Sequence, residues 1–112
     1  MIFLAAILFA LGAVLGLTVF IRWLTSKEAP RAVVYLHGLA GAVGIILLLL
    51  YASSNPESYP LVSIILFVVA ALGGFYLFFT DVKKKPHPLA VAGLHALLAV
   101  GGFVTLLLFI FR

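Results

Sequence analysis

The sequence contains no cysteine and few charged residues, and these two deficits exclude several kinds of protein. Without cysteine the chain forms no disulfide, no thiolate metal site and no thioether bond to a prosthetic group. Only 9% of its 112 residues are charged and 66% are hydrophobic, whereas about a quarter of the residues of a water-soluble domain are charged. So few charges cannot cover a surface that faces water, and the composition therefore indicates a membrane protein.

The hydrophobic residues form four long runs. Residues 1–21 and 58–80 include no charged side chain, and residues 32–54 and 89–111 include none unless His37 or His95 is protonated. Each run has the length of about 20 residues that an α-helix needs to cross the hydrocarbon core, and a backbone in lipid must pair its own polar groups. The strands of a β-barrel would be about half as long and would alternate in polarity.

We therefore predict an all-α membrane protein with a single transmembrane domain over residues 1–112. The expected helices are residues 2–24, 31–52, 60–80 and 88–111, and the short loops predict an antiparallel four-helix bundle. No basic residue precedes the first apolar run and no clear cleavage site follows it, so we expect this run to be the first helix and not a signal peptide.

The basic residues predict the orientation of the chain. Six of the seven lie beside the first and third loops, namely Arg22, Lys27, Arg31, Lys83, Lys84 and Lys85, whereas Arg112 lies on the other side. The positive-inside rule places these two loops in the cytoplasm and both termini outside. We expect a multi-pass protein of a bacterial-type inner membrane whose basic residues contact anionic lipid. The sequence has no nucleic-acid-binding motif, so the expected partner is the lipid bilayer.

An internal repeat relates the two halves of the chain. A shift of 58 residues aligns residues 30–39 (PRAVVYLHGL) with residues 88–97 (PLAVAGLHAL) without a gap, and it aligns Gly44 with Gly102. The repeats are residues 1–54 and 59–112, and each has two helices. They therefore share one orientation and are related by an axis along the membrane normal, which predicts that His37 and His95 lie at the same depth.

These two histidines are the candidate functional site. Each lies seven residues after a helix-opening proline, about 10 Å into the membrane at 1.5 Å per residue, and an ionisable residue at such a depth indicates function. Mostly small residues surround both, and we expect them to leave a slot for a flat macrocycle. They are Val34, Gly38, Gly41 and Gly44 around His37, and Ala92, Ala96, Ala99 and Gly102 around His95.

The pattern predicts one haem b per chain, because haem b is held by axial side chains such as histidine without a covalent bond. His37 and His95 would be the iron ligands, and basic residues at the cytoplasmic interface, Arg31 among them, would face the propionates. Two axial histidines saturate the iron, which favours electron transfer over substrate chemistry in a stand-alone enzyme. Zinc and copper usually need three or four ligands, which the spans do not offer.

Other interpretations of the histidines remain open at this stage. The two side chains could instead hydrogen-bond within the bundle of a cofactor-free membrane scaffold or accessory subunit. Haem handling or sensing is a third interpretation, and binding of another metal or a proton-relay role is a fourth. The haem could also be shared between two chains of a homodimer. His87 is expected to be a loop residue at the interface, with contact to a propionate or a quinone head group as the alternative.

The sequence also predicts the position of one aromatic residue and the hydrogen bonds of two hydroxyl residues. Trp23 lies near the end of a span, where it is typical of the interfacial aromatic belt. Ser63 and Thr105 are isolated hydroxyl residues within spans, and we expect each to bond to its own helix.

The segments Leu-His-Gly-Leu (residues 36–39) and Leu-His-Ala-Leu (residues 94–97), on alternate helices of the predicted bundle, resemble the ligand segments of small membrane b-type cytochromes. The resemblance covers the second and fourth helices and implies electron transfer with quinone or a redox partner protein. Cytochromes that carry electrons across the bilayer on two haems use four histidines, and this chain has two suitable ones. The resemblance therefore implies a small cytochrome or a haem subunit that relays electrons within a larger respiratory-type complex.

A second resemblance, to small multidrug resistance transporters, rests on size and helix number. Those transporters need a membrane-embedded glutamate in the first helix, and residues 1–21 contain no acidic residue. We therefore reject this interpretation.

Overall fold

The computed structural model describes all residues from 1 to 112 and consists of four helices without strands. They are α1 (Ile2–Leu24), α2 (Arg31–Ser54), α3 (Leu61–Val82) and α4 (Leu89–Ile110). Pro30, Pro60 and Pro88 directly precede the last three helices, because a residue without an N–H is well tolerated where a helix begins. The predicted bounds agree with the observed ones to within two residues.

The helices have the length and the surface of membrane spans. Helices of 22 to 24 residues measure about 33–36 Å, slightly more than the hydrocarbon core of about 30 Å. Only 19 of the 112 residues are buried within the protein, and leucine, isoleucine, valine and phenylalanine side chains are exposed along all four helices. Each helix is long and apolar enough to cross a membrane, so the fold is that of a multi-pass membrane protein.

The four helices form a square bundle. α1 packs closely on α2, and α3 packs closely on α4, while the α1–α4 and α2–α3 contacts are smaller and close the square. The diagonals of the square are therefore α1–α3 and α2–α4. The predicted antiparallel bundle of two parallel two-helix repeats is confirmed. We call the end with residues 25–30 and 83–88 the basic end, and the end with both termini and residues 55–60 the terminal end.

Repeat-related phenylalanines meet on the central axis in the half near the terminal end. The rings of Phe9 and Phe67 stack with their centroids 3.8 Å apart and their planes at 4°. Each ring lies against a glycine of the neighbouring helix: a Cβ on Gly44 would come within 2.8 Å of Phe9, and one on Gly102 within 3.0 Å of Phe67. The stacked pair therefore fills the space beside these two glycines.

The two turns at the basic end have the same backbone conformation. Ser26 and Lys84, which are 58 residues apart, have positive φ values of 58° and 54°. The next residues, Lys27 and Lys85, donate their N–H groups to the carbonyl five residues earlier, at 2.7 and 3.0 Å. This is the Schellman pattern that ends a helix on a left-handed residue, and both α-hairpins use it.

One hydroxyl prediction is wrong. Thr105 does bond to its own helix, at 2.8 Å from the carbonyl oxygen of Gly101, but the Ser63 hydroxyl bonds to the Thr105 hydroxyl at 2.8 Å and joins α3 to α4. Ser63 is only 1% exposed. A hydroxyl buried at a helix–helix contact in lipid has no water to bond, so it pairs with a polar group across the contact.

Candidate functional site

The structure brings His37 and His95 together on the α2–α4 diagonal. Their ring centroids are 6.0 Å apart and the ring planes are nearly perpendicular, at 82°. Both side chains are only partly buried, although they project between the helices. The two imidazoles are thus neighbours across the axis that relates the repeats.

Each imidazole is held by a backbone carbonyl of the other helix in its own repeat. Nδ1 of His37 donates to the Gly12 carbonyl oxygen at 2.8 Å, and Nδ1 of His95 donates to the Ala70 carbonyl oxygen at 2.6 Å. Because a carbonyl oxygen only accepts, the neutral ring carries its hydrogen on Nδ1 and its lone pair on Nε2. Histidines that ligate metals usually have their second nitrogen bonded in this way.

Two glycines on the partner helices provide the space for the rings. A Cβ on Gly16 of α1 would lie 2.7 Å from Cε1 of His37, and a Cβ on Gly74 of α3 would lie 3.1 Å from Cε1 of His95. Sequence reasoning did not include these glycines among the residues around the histidines. The available signal was their repeat-related spacing, since Gly12 and Gly16 align with Ala70 and Gly74.

Some of the predicted slot residues face space that other side chains fill, and others face open space. Beside Gly44 and Gly102 the space is occupied by the phenylalanine pair, so the slot ends there. A Cβ on Gly38 or Gly41 would meet no atom within 4 Å, and Gly38 is exposed whereas Gly41 is half-buried. The other predicted residues are Val34, Ala96 and Ala99, which are half-buried, and Ala92, which is buried near Trp23.

The two histidines fit the donor set of six-coordinate haem iron. Bonds from a metal to imidazole nitrogen are about 2 Å long, so two rings on opposite sides of one ion have centroids roughly 6 Å apart. The observed separation of the two ring centroids is 6.0 Å, and neither Nε2 atom is engaged by the hydrogen bonds that hold the rings. Toward the terminal end, the stacked phenylalanine pair bounds the space beside the histidines.

A second polar cluster lies at the basic end around Asp81. This carboxylate, 4% exposed in the last turn of α3, accepts hydrogen bonds from Nη1 of Arg31 at 2.9 Å and from Nε2 of His87 at 3.2 Å. A buried carboxylate needs such hydrogen-bond partners because it has lost those of water. Arg31, which we expected to face a haem propionate, is thus paired with Asp81. Sequence reasoning did not single out Asp81, although it is a lone acidic residue between an apolar run and three lysines.

His87 and Trp23 form the wall of this cluster. Their rings stack with centroids 4.2 Å apart and planes at 12°. Trp23 lies at the expected end of its span but is only 6% exposed, and its indole Nε1 has no hydrogen-bond partner. The predicted belt residue is therefore buried beneath a loop histidine.

No protein-family model matches the chain, and no curated protein or solved structure is significantly similar to it. A proposal for the function therefore rests on the central histidine pair and on the cluster at the basic end.

Proposed function

We propose that this protein is a membrane b-type cytochrome that carries one haem b between α2 and α4, with His37 and His95 as axial ligands. The observation that supports this most strongly is the pair of imidazoles 6.0 Å apart, each with Nδ1 bonded to a carbonyl and Nε2 free. The bound haem would supply a one-electron couple between ferric and ferrous iron.

The surrounding residues prepare the histidines for this role. The bonds to the carbonyl oxygens of Gly12 and Ala70 orient both rings and make Nε2 a better donor. Gly16 and Gly74 let the rings approach the partner helices. Because protein side chains would fill both axial positions, the site favours electron transfer, and the apolar helices around it keep water away.

The depth of the histidines suggests where electrons enter and leave. His37 lies six residues into α2, about 9 Å from the basic end at 1.5 Å per residue. The proposed role is therefore a relay on that side of the membrane, with a quinone or a redox partner protein, as a small cytochrome, a homodimer or a subunit of a respiratory-type complex. By the positive-inside rule this side is the cytoplasmic face of a bacterial-type inner membrane.

A second candidate is a cofactor-free membrane scaffold or accessory subunit, and the helices that the two histidine hydrogen bonds connect favour it. Both histidine hydrogen bonds join helices within one repeat, α2 to α1 and α4 to α3. Each imidazole thus stabilises its own hairpin without a ligand, as polar side chains often do between transmembrane helices. In this case both Nε2 atoms stay unligated.

The visible spectrum of the protein, purified in mild detergent from haem-replete cells, separates the two candidates. We expect a sharp reduced α-band of six-coordinate haem b in the unmodified protein and in the control His87→Ala. The band should be lost in His37→Ala and in His95→Ala, with far-UV circular dichroism verifying that both variants are folded. A colourless unmodified protein would reject the cytochrome in favour of the scaffold, and freely exchangeable haem would indicate haem handling.

A further inference from the structure

The residues that meet at the basic end are ones at which the two repeats differ. Trp23, Glu28 and Arg31 of the first repeat align with residues of different chemistry in the second, and the same is true of Asp81 and His87 in the other direction. All five lie in one cluster. The symmetry of the repeat therefore does not explain this cluster, unlike the central histidine pair.

Three of these side chains lie close enough together to surround one small cation. A carboxylate oxygen of Glu28, one of Asp81 and a ring nitrogen of His87 lie within 4.8 Å of one another, and Nε2 of His87 is 3.2 Å from Oδ1 of Asp81. Around tetrahedral zinc, with bonds of about 2.0–2.2 Å, neighbouring ligand atoms are roughly 3.3 Å apart.

Contacts with other residues hold two of these three side chains in place. The second carboxylate oxygen of Asp81 accepts a hydrogen bond from Arg31 at 2.9 Å, and the ring of His87 stacks on Trp23. Partners of this kind orient the ligands of natural metal sites and strengthen metal binding.

The third residue, Glu28, lies in a loop that is held at Glu28 itself and at the residue after it. Nε of Arg22 donates to the backbone oxygen of Glu28 at 2.9 Å, and the next residue, Ala29, is buried against Trp23. The exposed Glu28 side chain is therefore held close to His87 although it belongs to a loop.

A polar pocket of about 440 Å³ opens beside this cluster. Its wall includes Glu28, His87 and Trp23, whose buried indole Nε1 has no hydrogen-bond partner. The neighbouring lysines would favour a hydroxide or a small anion in the pocket. The lysines that line it are Lys27, Lys84 and Lys85.

We propose that Glu28, Asp81 and His87 form a Zn²⁺ site with a fourth coordination position that is open to the pocket. Three protein ligands and one exchangeable ligand are typical of zinc sites that bind a small molecule. An imidazole nitrogen suits zinc better than Mg²⁺ or Ca²⁺, which prefer oxygen ligands in larger number. None of these residues is a proposed haem ligand, so the two sites are independent.

Trp23 provides a direct test because it is the only tryptophan of the chain and stacks on His87. The purified protein, with any histidine tag removed, is titrated with ZnCl₂ in detergent while tryptophan emission and calorimetric heat are recorded. We expect saturation at one Zn²⁺ per chain and no comparable response to MgCl₂. Glu28→Gln and His87→Ala should each weaken binding by about tenfold or more, because loss of even an outer partner costs 10–100-fold.

The control is Glu57→Gln, which alters an exposed acidic residue at the terminal end and should leave zinc binding unchanged. No zinc response, or equal affinity in the unmodified protein, Glu28→Gln and His87→Ala, would overturn the proposal. Glu28→Gln is the decisive variant, since the residue is exposed and its loss leaves the Asp81 ion pair intact. Zinc binding that persists in His37→Ala would show that the zinc site does not depend on the proposed haem site, so either proposal can fail without the other.

Discussion

At the scale of single residues, each central histidine occupies space that one methyl group on the neighbouring helix would fill. His37 lies against Gly16 of α1 and donates to the carbonyl oxygen of the residue four positions before that glycine. His95 lies against Gly74 of α3 and donates to the carbonyl oxygen at the equivalent position of α3. These glycines therefore serve to admit an imidazole and let it bond to the backbone, whichever of the two proposed functions holds.

The first prediction follows from this contact. Gly16→Ala would bring a Cβ to 2.7 Å from Cε1 of His37, and overpacking of this kind usually costs about 1–3 kcal/mol. Gly74→Ala should cost less, since its closest approach to His95 is 3.1 Å. Denaturant unfolding of the purified protein in detergent measures both.

The matched control for these glycines is Gly93→Ala, where an added Cβ meets no atom within 4 Å. Removing a glycine from the interior of a helix should then be neutral or stabilise by up to about 1 kcal/mol. Equal stability of Gly16→Ala and Gly93→Ala would contradict the proposed packing of the imidazole.

A second prediction concerns the buried carboxylate at the basic end. Asp81→Asn removes the charge that pairs with Arg31 and His87, and hydrogen bonds to charged groups contribute about 1.5–3 kcal/mol. Because Arg31 is 44% exposed and is solvated after the change, we expect a loss near the lower end of that range. Thermal unfolding checks this against Glu57→Gln, which should differ from the unmodified protein by less than about 0.5 kcal/mol; equal losses in the two variants would contradict it.

At the scale of helices, the bounds were predictable from the sequence and the contacts between helices were not. Prolines and polar loop residues mark where the apolar runs begin and end, so the predicted bounds agree closely with the observed ones. The spans, however, are apolar around most of their circumference, and such a helix has no polar face that reveals its rotation. The repeat predicted that His37 and His95 are equivalent. The contacts of their rings with Gly16 and Gly74 were not predictable, because they depend on the rotation of α1 and α3 about their axes.

The turns at the basic end provide the third prediction. Ser26 and Lys84 have positive φ, a conformation that costs most residues about 1–2 kcal/mol and glycine almost nothing. Ser26→Gly and Lys84→Gly should therefore each raise the free energy of unfolding by about 1 kcal/mol. Lys83→Gly is the control, because Lys83 has φ of −79° and glycine there should destabilise the protein. Loss of stability in Lys84→Gly equal to that in Lys83→Gly would contradict the assigned turn.

At the scale of the whole molecule, a symmetric centre is combined with an asymmetric end. Equivalent residues of the two repeats meet on the axis, as the rings of Phe9 and Phe67 do, whereas Asp81, Arg31 and His87 form a cluster that exists once. Both proposed sites lie toward the basic end, so their exchange with partners would take place on one side of the membrane.

The fourth prediction is the orientation of the molecule, which the absence of native cysteine makes easy to measure. Ser54 lies at the end of α2 toward the terminal end, and Ser26 lies at the basic end. In intact cells we expect a membrane-impermeant maleimide to label Ser54→Cys directly and Ser26→Cys only after the membrane is permeabilised. The reverse labelling pattern would invert the proposed topology and move both sites to the outer face.

The haem content of the purified protein tests the central proposal most directly. Absorbance of the pyridine haemochrome, divided by the protein concentration from amino-acid analysis, gives the number of haem b groups per chain. The geometry of His37 and His95 predicts one haem per chain and none in His37→Ala or His95→Ala. A value of one half would indicate haem shared between two chains. No haem in protein from haem-replete cells, or full haem content in either alanine variant, would contradict the account.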